Sequence, residues 1–129
     1  MSILVPVSWG ELLDKITILE IKSERLRDPR QRANVDKELR ALRQVRDAEW
    51  PRGTALDGET AELRAVNEAL WEIEDRIRLC EREQRFDSEF VALARSVYKQ
   101  NDLRAHLKRR INVKLNSDLN EEKSYETYQ

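Results

Sequence analysis

Five polar residues interrupt an otherwise apolar pattern in the second half of this chain: Asn67, Glu74, Asn101, Arg104 and Lys108. Arg104 and Lys108 stand four apart, so on a helix they share one face with Asn101 one turn earlier. Two cations with amides to orient a ligand and one carboxylate beside them suit a small anion, a carboxylate or a phosphate, held between helices. The same residue types at the same spacing also build a buried polar layer that fixes helix register at some cost in stability. Trp71 and Tyr98 flank these positions, as core-closing rings or as a surface on which a ligand ring stacks.

Other chemistry is excluded more firmly. His106 is the only histidine and Cys80 the only cysteine, so a zinc site of several Cys and His ligands cannot form. In an antiparallel hairpin Cys80 lies level with Leu93, roughly 20 Å along the helix from His106 and too far for a thiolate–imidazole pair. The Glu-x-x-His motif of di-iron bundles does not occur, nor does a glycine-rich phosphate loop or a nucleophile elbow. No cofactor is expected, and the residues point away from an enzyme.

The elements that must position the five residues are helices. Leu63, Val66, Leu70, Ile73, Ile77 and Cys80 recur at helical spacing from about Glu59, and Phe90, Leu93, Ala94, Val97, Leu107, Ile111 and Leu115 do so from Ser88. Together they predict a long hairpin, 59–116, turning at Glu83–Asp87. That turn sets Glu74 level with Lys99–Asn101, and Asn67 level with Arg104–Lys108. Upstream, Ser8 and Glu11 have the capping-box spacing and open a helix from Trp9 to about Arg27, with Leu12, Leu13, Ile16, Leu19 and Leu26 on its stripe. Ile18 and Ile21 fall on its opposite side, so this helix is either enclosed within the bundle or meets another subunit there. Asp28-Pro29 ends it, and a charged helix with a narrow stripe at Val35, Leu39, Leu42 and Val45 spans about 31–48. Residues 50–58 form a loop. Residues 3–7, Ile-Leu-Val-Pro-Val, read as a short extended lead-in lying over the core, because no partner strand is present. The tail from Asn116 is frayed or pinned across the bundle by Tyr125 and Tyr128. The expected architecture is a single all-α domain, an antiparallel bundle of about four helices dominated by the hairpin.

Charge narrows the partners. The 24 Lys+Arg and 25 Asp+Glu nearly cancel, whereas nucleic-acid binders normally carry a basic excess. Two basic clusters, 25–32 and 108–114, read as solvated faces with a nucleic-acid patch as the minority alternative. A lone cysteine, no basic n-region before the lead-in and no apolar run near the ~18 residues of a membrane span lead to a cytoplasmic protein without a membrane partner.

Three segments carry a resemblance: SWGELLDKITILEIKSERL at 8–26, VNEALWEIEDRIR at 66–78 and FVALARSVYKQNDLRAHLKRRIN at 90–112. They resemble a bacterial family of small all-helical proteins known only as a domain of unknown function, which implies no activity. LLDKITILEIKSER at 12–25, followed by Lys37, is also similar to the first helix of the all-helical chorismate mutases, which bind a dicarboxylate among Arg, Lys and Glu/Gln side chains. That family's later Arg-and-Gln pattern has no counterpart here. The leading expectation is a non-enzymatic module that binds a protein or itself, with Ile18 and Ile21 as the candidate interface.

Overall fold

A computed structural model describes residues 1–128. Its described residues form four helices and no strand: α1 (Trp9–Arg25), α2 (Pro29–Glu49), α3 (Asp57–Arg82) and α4 (Ser88–Lys114). Local chemistry sets the boundaries. Ser8 Oγ accepts from the Glu11 N–H at 3.2 Å; Asp28 caps α2 through the Arg30 N–H at 2.9 Å, with Pro29 at the position where its missing N–H costs least. Asp87 caps α4 through the Phe90 N–H. Between α3 and α4 the chain reverses through Gln84 in the left-handed region, φ 55°, which lets the Arg85 N–H reach the Cys80 carbonyl at 2.9 Å.

Helices α3 and α4 form the expected antiparallel hairpin. Its register is marked by ion pairs from Glu59 to Lys114 and from Glu62 to Arg110 at one end, and from Arg76 to Glu89 at the other. The hub of the fold, however, is α1. It packs on α2, α3 and α4, while α2 packs on α1 alone. The core joins Leu12, Leu13, Ile16 and Leu19 of α1 to Leu39 of α2, Leu63 and Val66 of α3, and Leu107 and Ile111 of α4. Being enclosed on three sides, α1 buries a second stripe, and Ile21 lies fully inside it.

Helix α1 is also short. Its 17 residues span about 25 Å, against about 40 Å for the 26 and 27 residues of α3 and α4. It ends where Arg25 pairs with Glu72, and beyond that level no other helix packs on the hairpin among the described residues. Among the described residues only Cys80 and Leu93 are buried there, and Phe86 and Phe90 form an edge-on pair at 5.2 Å.

Two expectations need correction. The lead-in does not lie over the core: Ile3 is 82 % and Leu4 95 % exposed. The capping box forms only by half, because the Glu11 carboxylate pairs with Lys108, 2.7 Å away. The tail turns back along α4, with Glu121 on Lys108, Glu122 on Arg109, and the Tyr128 ring 5.0 Å from that of Tyr98.

Candidate functional site

The polar level between α3 and α4 is organised by a residue of α1. Asp14, with 4 % of its side chain exposed, accepts from Arg104 Nε at 2.9 Å on one oxygen and from Arg104 Nη2 at 2.5 Å on the other. This two-point pairing is the geometry in which a guanidinium binds a carboxylate best. Asn67 Nδ2 also donates to Asp14 Oδ1, at 2.9 Å, and to Thr17 Oγ1, at 2.9 Å. The Thr17 hydroxyl in turn donates to the Asp14 carbonyl at 2.8 Å. One buried knot therefore ties three helices. The Arg104 pKa is raised, chiefly by the hydrogen bond to Asp14.

One turn along, Lys108 is 8 % exposed at its side chain and bridges Glu11 and Glu121, both at 2.7 Å. Burial works against its charge, but the hydrogen bonds to Glu11 and Glu121 outweigh burial and the ammonium is held above its ordinary pKa. Glu121 is correspondingly lowered, chiefly by Lys108. One turn further, α1 and α4 nearly touch: Gly10 N–H donates to Asn112 Oδ1 at 2.7 Å, and a Cβ built on Gly10 would lie 2.6 Å from the Lys108 carbonyl oxygen. With Trp9 N–H donating to Ser117 Oγ at 2.9 Å and Glu11 N–H to Ser8, the first three N–H groups of α1 all have side-chain acceptors. Among the described residues no buried side-chain nitrogen or oxygen lacks a partner.

The five residues singled out in the sequence do not all gather at one place. Asn67 and Arg104 meet at Asp14. Lys108 lies one turn away in a separate ion triad. Asn101 is half-buried, and its oxygen accepts only a long 3.5 Å bond from Arg104. Glu74 is exposed, faces Arg78 at 3.5 Å and shares no hydrogen bond with the knot, although it lines a shallow 380 Å³ depression together with Asn67 and Arg104. Of Ile18 and Ile21, only Ile18 keeps surface, at the rim of that same depression beside Trp71 and Arg78. Lys37 is exposed on α2.

Asp14, Thr17 and Gly10 were missed because the Leu stripe of α1 does not contain them. Stepping back by four from Ile18 and Ile21, however, reaches Asp14 and Thr17, and a further four reaches Gly10. The signal for a second buried face was present in those two isoleucines. Of the basic clusters, the later one is neutralised: Lys108, Arg109, Arg110 and Lys114 all reach glutamates. In the earlier one Arg25 pairs with Glu72, while Arg27 and Arg32 edge an open recess beside Trp71.

Fold and polar seam together define an all-α protein whose short central helix is locked into a longer hairpin by internally satisfied charges. The chain belongs to a family of unknown function, DUF6165, whose family model matches residues 3–129. That match includes the exposed lead-in. Neither a curated protein nor a solved structure gives a significant match to the chain.

Proposed function

We propose that the chain is a non-enzymatic, cytoplasmic protein-interaction module that self-associates through its lead-in, the partner being a second copy. The observation that carries this reading is an extended run of apolar side chains, Ile3, Leu4, Val5 and Val7, all more than half exposed and unused by the chain's own core. Solvated apolar runs of this kind gain about 25 cal/mol per Å² when covered, and contiguous ones mark contact surfaces. Ile21 is withdrawn from the candidate interface by its burial, which leaves Ile18 and the lead-in. The small-anion reading loses its basis in Arg104 and Lys108, since an anion there would have to displace Asp14, or Glu11 and Glu121. A chorismate-mutase-like site has the same difficulty.

Sedimentation velocity over a wide concentration range tests the proposal. Association that weakens with Leu4→Ser and Val5→Ser, at unchanged helix content, supports it. A strict monomer at every concentration, or association indifferent to both substitutions, rejects it.

A further inference from the structure

The tail and α4 line a half-open cavity of about 630 Å³ whose chemistry differs from the polar seam. Its walls carry three tyrosines, Tyr98 of α4 with Tyr125 and Tyr128 of the tail, together with Asp102 and Glu126. All three rings keep surface, being 42, 77 and 50 % exposed. Tyr98 and Tyr128 meet at an interplanar angle of 61° with centroids 5.0 Å apart, and the Tyr128 hydroxyl is tied to Asp102, which holds the phenol above its ordinary pKa.

We propose that this cavity is a binding site for an alkylammonium group, which the tyrosine rings and the two carboxylates would recognise. Ring faces carry the negative end of the aromatic quadrupole, and cations seat on them within about 6 Å of the centroid. The chain's own Lys123 already does this: its ammonium lies 5.6 Å from the centre of Tyr125. Lys123 is only loosely held otherwise, its nearest carboxylate, on Glu121, being 4.0 Å away. It therefore occupies one ring and leaves Tyr98 and Tyr128 to an incoming cation. The volume suits a small ligand or a single side chain, and two carboxylates against one lysine disfavour an anion. This site shares no residue with the lead-in and stands independently of self-association.

The test is a titration of the full chain with tetramethylammonium chloride, read at the tyrosine ring protons by NMR, with sodium chloride and sodium acetate as controls. The expected result is a saturable shift specific to the organic cation. Affinity falls roughly five- to tenfold in Tyr98→Ala and Tyr128→Ala, is retained in Tyr98→Phe, and rises in Lys123→Met, where a like charge beside the site is removed and Tyr125 is freed. Tighter binding of a trimethyl-lysine peptide than of tetramethylammonium assigns the cation to a partner protein; equal binding assigns it to a free amine. No saturable shift beyond the sodium control, shifts that survive both alanine substitutions, or a preference for acetate overturns the proposal.

Discussion

The α3–α4 hairpin consists of two regions written in nearly the same residues and with opposite physical character. Near its open end α1 fills the groove between the helices, and Arg104 there is a half-buried tie to the buried Asp14 and, through it, to Asn67. Nearer the turn no third helix packs into the groove among the described residues, and Glu74 and Arg78 form an exposed i,i+4 pair. The difference lies in the desolvation set by the third helix. An ion pair in water is worth about 0–1 kcal/mol, whereas orphaning one partner of a buried pair costs about 3–5 kcal/mol.

The sharpest way to break this comparison is Asp14→Ala, which leaves Arg104 unpaired and Asn67 short of an acceptor. Because Arg104 keeps 28 % of its side chain in water, a loss at the low end, about 3 kcal/mol, is expected in urea denaturation. A loss below about 1 kcal/mol would mean that the two regions are not different in kind. Gly10→Ala should follow, costing about 1–3 kcal/mol, since its methyl meets main-chain oxygen that cannot move without parting α1 from α4.

Acid gives a smaller effect with a defined sign. Glu121 is lowered by Lys108, and Glu59 by Lys114. Groups lowered on folding contribute stability that is fully present above their unfolded pKa, near 4.3, and is lost as pH falls through their lower folded values. Glu121 is about one-third exposed at its side chain, so its share is below about 1 kcal/mol. The tail should loosen first, seen as loss of the Tyr98–Tyr128 ring contact by NMR while α-helical circular dichroism persists. The smallest effect belongs to the uncovered region: Glu74→Ala should change stability by no more than about 0.5 kcal/mol. A larger loss would show that the end near the turn is buried after all, by something other than α1.

Much of the fold was legible because its signals are local. The three-and-four recurrence of Leu63 to Ile77 and of Leu107 to Leu115, the Asp28-Pro29 break and the serine before Trp9 each act within a turn or two of chain. Helix ends came within a few residues for the same reason. Of the polar level, Asn67 and Arg104 were legible as interruptions in an apolar stripe, but their common partner was not. Asp14 in α1 looks like any surface carboxylate until the opposite side of that helix is known to be covered. Glu74 shares a shallow depression with them but none of their hydrogen bonds, because a helical wheel gives direction around an axis but not which partners reach it.

The sequence by itself therefore determined four amphipathic helices, the Ser8 cap, the antiparallel hairpin and an inventory too poor in histidine and cysteine for a zinc site of several such ligands. Those follow from periodicity, proline and residue inventory. Only the tertiary structure decided that α1, and not the hairpin, is the hub, and that it stops short of the turn. Burial depends on which surfaces meet, and the meeting of residue 14 with residues 67 and 104 is a property of packing that no local pattern encodes. That same packing turned one polar interruption into a knot holding three helices and left the other in water.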